Sequence, residues 1–283
     1  MVAETIPTQI LTYKHRLLPS KGQHRRLRAA LDHTRDLYNA ALEERIGCYR
    51  KTGKTIRRYD QTRALTELRT EPEWAAYACT MQRWPLVQID LAFKAFFRRV
   101  KARDGKAGFP RFKGREWFKT FGFSDSGGWR VSDGRLIMKG IGAIRLHMHR
   151  PLPSEPIACK VKREGRHWYA LLTVDVECAP AHAGAAVGID LGLASLATLS
   201  TGSEPVKNIR AYNRAIRELR VRQRALARCK RGSKNRRKAK ERLAAAHARI
   251  CRTRDTHLHQ ASAKLTRNYG LIAIEDVDIK AII

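Results

Sequence analysis

The chain has 283 residues, 43% of them hydrophobic, which is enough apolar material for one large domain or, by preference, two to three smaller units, and excludes a disordered basic tail. It carries 57 Lys and Arg against 26 Asp and Glu, a net charge of +31, so its partner is polyanionic, nucleic acid before membrane. No signal peptide opens it, no run approaches the ~18 apolar residues of a membrane span, and six irregularly spaced cysteines without a CxxC pair fit a reducing cytoplasm and no zinc site.

Residues 1–8 read as a loose start. Leu11, Tyr13, His15 and Leu17 then alternate with polar residues, the pattern of a half-buried strand over 9–20. Pro19-Ser20 opens a long helix whose inward stripe is Leu27, Leu31, Thr34, Tyr38, Ala41, Arg45 and Tyr49, ending near Lys51-Thr52-Gly53. A shorter helix carries Leu65 and Leu68, and Glu71-Pro72-Glu73 begins another turn around Trp74. Pro85 suits a helix start, because its missing N–H costs nothing there, and Leu86, Ile89, Phe93, Phe96 and Val100 follow as a core stripe.

After Asp104-Gly105 the character changes. In Gly108-Phe109-Pro110-Arg111-Phe112-Lys113-Gly114-Arg115 aromatics and cations interleave. Phe109, Arg111, Phe112, Lys113 and Arg115 suit contact with a single strand, stacking on bases and pairing with phosphates. A plain hydrophobic plug under a loop explains the phenylalanines equally well. Short strands follow around Phe121, Trp129, Leu136 and Ile144, with Ser132-Asp133-Gly134 as a hairpin turn, and a second hairpin folds around Glu164-Gly165. Their spacing over 105–177 predicts a small barrel that the first strand helps to close. Cys178 to Ala185 is Ala-, Pro- and Gly-rich and reads as a linker.

The last part, 186–283, is framed by two apolar runs, Ala186-Val187-Gly188-Ile189-Asp190-Leu191-Gly192 and Leu271-Ile272-Ala273-Ile274-Glu275-Asp276. Each is a buried strand that delivers one carboxylate to its end. On neighbouring strands Asp190 and Glu275 can together hold Mg²⁺, an ion that selects oxygen ligands. Taken singly, Asp190 is also a strand-end turn former and Glu275 a helix-start carboxylate. Between them, residues 207–254 contain 19 Lys and Arg against Glu218 and Glu241. Ile216, Leu219 and Leu226 make one helical stripe, and Leu243, Ala246, Ile250, His257, Ala261 and Leu265 a second. Arg231-Gly232-Ser233-Lys234-Asn235 turns the chain between them, giving a helical hairpin over 207–268. Charge of one sign at helical spacing destabilises a helix unless a polyanion neutralises it, so Arg222, Arg224, Arg231, Lys234, Arg236, Arg237 and Lys238 are candidate phosphate contacts. The histidines offer no metal site: His257 and His259 at i, i+2 diverge around a helix. Gly53-Lys54-Thr55 lacks the rest of a phosphate loop.

Gly188-Ile189-Asp190-Leu191-Gly192 and its continuation to Gly202 resemble the first RuvC motif of the transposon-encoded OrfB/TnpB proteins. Arg222-Gln223-Arg224, Arg231 to Arg236 and His247-Ala248-Arg249-Ile250 resemble their central hairpin, and Ile274-Glu275-Asp276-Val277 their second RuvC motif. Tyr13 to Leu17, Leu37-Tyr38-Asn39 and Gly108 to Gly114 fit the same family. The resemblance implies an α+β multi-domain protein: a small β-barrel wedge (9–20 and 105–177) with a helical recognition insert (21–104), a linker (178–185), and part of an RNase H-like RuvC domain (186–283). It implies an RNA-guided DNA endonuclease of an insertion sequence, associated with transposition, cytoplasmic and nucleoid-associated, with a guide-type RNA and DNA as partners. Asp190 and Glu275 become catalytic Mg²⁺ ligands. The family continues into a zinc ribbon and a third acidic residue, and this sequence stops at Ile283, so the chain is expected to be catalytically incomplete; Asp276 and Asp278 stand too near Glu275 to serve. The rival expectation is a shortened relative that binds RNA or DNA, or represses, without cutting. A ribosomal type of RNA binder is disfavoured, having no use for carboxylates aimed at a phosphate path.

Overall fold

A computed structural model describes residues 8–103, 107–177 and 184–275. They divide into two compact units, with the boundary after residue 178.

The first unit opens with strand β1 (Thr8–Leu18), which alternates as its sequence predicts: His15 and Leu17 are buried, Lys14 and Arg16 exposed. Ser20 then caps helix α1 (Lys21–Thr52) in a reciprocal box: the Gln23 N–H donates to Ser20 Oγ (3.3 Å) and the Ser20 N–H to Gln23 Oε1 (2.9 Å). Gly53, at φ 66°, ends the helix by donating to the Tyr49 carbonyl. The stripe from Leu27 to Arg45 is buried, but Tyr49, expected to continue it, is exposed because the helix has by then run past its neighbours. Helices α2 (Arg58–Leu68) and α3 (Pro72–Ala75) lead into α4 (Cys79–Ala102). Here Pro85 does not start a helix but sits inside one. The turns before it are held by burial of Met81 and Trp84, so losing one backbone hydrogen bond does not break them.

Strands β2 (Thr120–Gly122), β3 (Trp129–Ser132), β4 (Arg135–Met138), β5 (Gly142–His147), β6 (Pro156–Glu164) and β7 (His167–Glu177) complete an antiparallel sheet of order β2-β6-β7-β1-β5-β4-β3. The expected closed barrel is not formed. Strand β1 lies in the middle, paired with β7 and β5, and the sheet curls into a half-barrel whose edge strands β2 and β3 do not pair. Those edges are three and four residues long, and helices fill the open side instead. Leu27, Ala30 and Leu31 of α1, with Ala78 and Met81, share one core with Phe121, Leu136, Met138, Ile144, Val161, Trp168 and Leu172. A second core holds Tyr38, Ala41 and Leu42 against Leu65, Leu86 and Ile89. Helix α4 is tied to the sheet by polar bonds too: Thr80 Oγ1 donates to the Gly127 carbonyl (2.5 Å) and the Ser124 N–H to that of Thr80 (3.0 Å). Arg45, 6% exposed, is held by Gln61 Oε1 (2.8 Å) and lies 3.7 Å from Asp90.

The second unit has strands β8 (Ala186–Asp190), β9 (Ser195–Leu199) and β10 (Val206–Lys207), helices α5 (Ala211–Ala227) and α6 (Lys234–Asn268), and strand β11 (Leu271–Ile274). Its sheet order is β10-β9-β8-β11, with β11 parallel to β8 and the other pairs antiparallel. Val187, Ile189, Ala197 and Leu199 form the core, covered by Val206, Leu265, Tyr269 and Ile272.

Two predictions follow from the first unit. Gly140 has φ 81°, and a Cβ there would meet the Ala76 carbonyl oxygen at 2.5 Å, whereas Gly134, at φ 67°, faces open space. Gly134→Ala should cost about 1 kcal/mol of conformational strain, and Gly140→Ala about 2–4 kcal/mol, because a backbone atom must also move; denaturant titration separates the two. Burial first, and then the charge of His149, pushes His15 below the ordinary value of 6.5; burial also lowers His24 and His33. The unfolded chain then binds more protons than the folded one as pH drops through 6.5. Stability should be level above that pH and fall on acidification, and His15→Phe should shrink the fall.

Candidate nucleic-acid interface and paired carboxylates

Strands β8 and β11 run in the same direction with Leu271 opposite Ala186 and Ile274 opposite Ile189. Their alternation turns Val187 and Ile189 into the core and leaves Asp190 exposed at the strand end, opposite Thr198 of β9. Glu275 is the next residue after Ile274 and is also exposed. One step beyond the last paired residues, the register therefore sets Asp190 and Glu275 side by side at the ends of adjacent parallel strands. The start of β8 is fixed by a doubled bond, in which the Gly188 N–H donates to Ser200 Oγ and the Ser200 N–H to the Gly188 carbonyl, both at 2.9 Å. Beyond Asp190 the chain is held by Asn208, whose Nδ2 donates to the Leu193 carbonyl (3.0 Å). Among the described residues, no group of three or more His, Cys, Asp and Glu converges to hold a metal ion. Asp276 and Asp278 lie outside the described residues.

Parallel strands cannot be joined by a tight turn, and here the crossover includes the antiparallel pair α5 and α6. On α6, Ala246 is buried and Leu243, Ile250, His257, Ala261 and Leu265 are half-buried, which is the predicted stripe. His257 Nε2 donates to the Lys207 carbonyl (2.8 Å), so that nitrogen carries the proton. The candidate cations divide into two groups. Arg224, Arg231, Lys234, Arg237 and Lys238 are exposed, free to meet phosphates. Arg222 instead binds Glu218 through Nε (2.8 Å) and Nη2 (2.6 Å), and Arg249 grips the other oxygen of the same carboxylate. The hydrogen bonds from Arg222, then the nearby Arg249 charge, hold Glu218 below the usual carboxylate range. Arg236 reaches back across the turn, Nη1 donating to the Leu226 (3.0 Å) and Cys229 (3.1 Å) carbonyls, so it closes the end of α5. Ser233 Oγ meanwhile accepts from the Arg236 N–H and caps α6. Arg224 belongs to an exposed row whose other members, Arg214, Arg217, Arg220 and Arg228, the sequence reading missed. Its signal was present in the three- and four-residue steps opposite Ile216, Leu219 and Leu226.

In the first unit, the aromatic–cation loop lies on α1. Asn39 Nδ2 donates to the Lys113 carbonyl (3.1 Å) while Asn39 Oδ1 accepts from the Lys113 N–H (2.7 Å). Arg115 pairs with Asp32 at 2.8 Å, and Lys113 Nζ stands 5.4 Å from the centre of the Tyr38 ring. Phe109 meets Phe93 and Phe96 edge-on, ring centres 5.6 and 5.3 Å away, and is still 47% exposed, so it serves as a plug only in part. Phe112 and Arg111 face solvent. The sequence reading overlooked Trp117, the most exposed tryptophan here.

Comparison with known proteins bears on both units. A family profile for OrfB of IS605 elements, described as "Probable transposase", matches residues 169–283. A second, described as a helix-turn-helix domain, matches residues 9–54, a span that here forms most of strand β1 and the whole of the single helix α1. Over 277 residues the chain is 31% identical to a Streptomyces pristinaespiralis protein named "Putative RNA-guided DNA endonuclease", covering 95% of this chain and 67% of that one. It is 27% identical over 278 residues to the Escherichia coli K12 protein of the same designation, InsQ, again across 67% of the relative. The chain belongs to this IS605 OrfB family, the TnpB-type proteins, and spans about two thirds of the length of these relatives. Among solved structures, a Cas12f1–sgRNA–target DNA complex aligns with 96% of this chain and 82% of its own at 11% identity, TM-score 0.44.

The division among the arginines is testable by stability. Arg236→Ala should destabilise the hairpin by about 1–3 kcal/mol, because two carbonyls lose a charged donor. Arg237→Ala and Lys238→Ala should stay within about 0.5 kcal/mol. Amide exchange at the last turn of α5 reports the difference locally.

Proposed function

We propose that this chain binds RNA and DNA as a member of a transposon-encoded, RNA-guided DNA endonuclease family, and that Asp190 and Glu275 are the carboxylates it directs at a phosphodiester. The observation that carries this reading is the parallel register of β8 and β11, which aligns two exposed carboxylates at one strand end, with 19 Lys and Arg residues on or beside the crossover that joins them. The mixed sheet and its helical crossover support an RNase H-like arrangement of the RuvC type. The names of the relatives, matched along 95% and 96% of this chain, supply the substrate class.

Two carboxylates at adjacent strand ends are oxygen donors and fit a hard divalent cation, Mg²⁺, which Asp190 and Glu275 would hold. When bound, such an ion neutralises phosphate charge and polarises the scissile group. The chain's own residues do the rest of the binding. Arg214, Arg217, Arg220, Arg224 and Arg228, with Arg237 and Lys238, take backbone phosphates without reading sequence, and base pairing with the RNA supplies the sequence.

A second reading is binding without cleavage: were Asp190 and Glu275 the only acidic ligands, Mg²⁺ would keep most of its waters and bind weakly.

The test starts with protein freed of nucleic acid and titrated with RNA and DNA over a range of salt. Replacing Arg237 and Lys238 should lower the log–log salt slope by about 0.7–0.9 per lost contact. Asp190→Asn should bind as well as the parent or slightly better, since it removes a negative charge next to the phosphate path. Any cutting of matched DNA in Mg²⁺, by this chain alone or supplemented with the carboxy-terminal third of the Streptomyces relative, should be abolished by Asp190→Asn and by Glu275→Gln. Binding to neither RNA nor DNA would sink both readings; cleavage by the unaided chain that depends on Asp190 would sink the second.

A further inference from the structure

Trp84, Trp129 and Trp168 are buried and Trp74 is half-buried, but Trp117 is 84% exposed. Leaving an indole in water forgoes one of the largest apolar burials a side chain can make. The position is nonetheless fixed. The N–H groups of Trp117 and Phe118 both donate to the Gly114 carbonyl at 3.0 Å, and Trp117 Cδ1 stands 3.5 Å from where a Cβ on Gly114 would lie. Phe118 is turned inward, its ring 6.4 Å from that of Tyr38. Upstream, the paired bonds to Asn39 and the ion pair to Asp32 hold the loop on α1. A neighbouring ring, Phe112, is 55% exposed.

We propose that Trp117, assisted by Phe112, is a stacking platform for unpaired nucleobases, with Arg111 and Lys113 taking the phosphates on either side. The proposal rests on the nucleic-acid reading above and adds a site to it. An apolar protein partner would need a surround of apolar side chains, whereas the exposed flanking residues here include Arg111, Lys113, Arg115 and Lys119, with Glu116 the one carboxylate among them. A flat aromatic face set among cations is complementary to a ligand with flat aromatic rings and regular negative charge. Stacking of this kind tolerates any base and requires it to be unpaired. Holding the ring on a pinned turn removes part of the ordering cost on binding.

The experiment uses the full chain, free of nucleic acid, with oligo-U RNA, oligo-dT DNA and a DNA duplex as probes, reading tryptophan fluorescence alongside an independent binding signal. Saturation with a single strand should quench the exposed tryptophan, and the duplex should not. Trp117→Ala should weaken single-strand binding by roughly 5- to 100-fold, with an unchanged salt slope and unchanged duplex affinity. Trp117→Phe should keep most of the affinity and lose the quench, which separates stacking from any effect on folding. The strand whose affinity falls, RNA or DNA, identifies the source of the base. Unaltered affinity of Trp117→Ala for both single strands, equal weakening toward duplex, or saturation of the parent without quenching each overturns the site while leaving the broader reading intact. A parent chain that binds no probe overturns both.

Discussion

The pairing of β8 with β11 is the constraint on which the second unit depends. Two parallel strands share no turn, so the chain between them has to leave the sheet and return to the same end. Helix α6 makes that return, and its length divides its work. With 35 residues it runs about 52 Å, twice the roughly 26 Å of the 17-residue α5. Its first half lies along α5, joined through Glu218 and Arg249. Its second half reaches the sheet, where His257 meets the Lys207 carbonyl and Leu265 covers Val187 and Ile189. One helix thus fixes the register that aligns Asp190 with Glu275 and also carries a charged surface away from them.

That surface is costly to the free protein. Repulsion among the exposed arginines of α5 opposes the helix that displays them. Glu218 relieves only part of it, because one carboxylate shared by Arg222 and Arg249 neutralises charges that were never free for phosphate. Those paired arginines and Arg236 act as internal fasteners, and the unpaired ones give the surface its sign. A polyanion that binds only the folded hairpin would stabilise it by mass action. Ionic strength should therefore act on this unit in two opposite ways, screening the self-repulsion and weakening the ligand.

Much of this was legible in the residues, for reasons that differ from place to place. The α6 stripe could be read because a helix 35 residues long repeats its period many times. The turn at Asp133-Gly134 could be read because positive φ, 48° and 67° here, admits few residue types. Asp190 could be placed on the outer face at a strand end because Val187 and Ile189 alternate with it in a five-residue strand, whereas the four-residue β11, mostly exposed, gave Glu275 a strand end but no face. Other features depend on contacts between distant residues. Pro85 lies within α4 because Met81 and Trp84 are buried under the sheet, which a local rule about proline does not register. Arg236 looks like its neighbours in sequence and differs only in facing the carbonyls of Leu226 and Cys229. Phe109 and Phe112 are three residues apart in one motif, yet Phe93 and Phe96 capture only the first.

The half-barrel explains why the aromatic–cation loop can be both exposed and rigid. A closed barrel would have satisfied its own edges and left α1 as an appendage. Because β2 and β3 stay apart, α1 must supply Leu27, Ala30 and Leu31 to the sheet core, and its middle turns then supply Tyr38 and Leu42 to a helical core. The same helix, packed into both cores, offers Asp32 and Asn39 to the loop that passes over it. Loops usually gain freedom by leaving the core; this one is held by a polar side chain that satisfies both its N–H and its carbonyl at Lys113. The backbone there is ordered without burying Phe112 or Trp117. The price of closing the sheet with helices is a long α1, and that length is what gives the loop its seat.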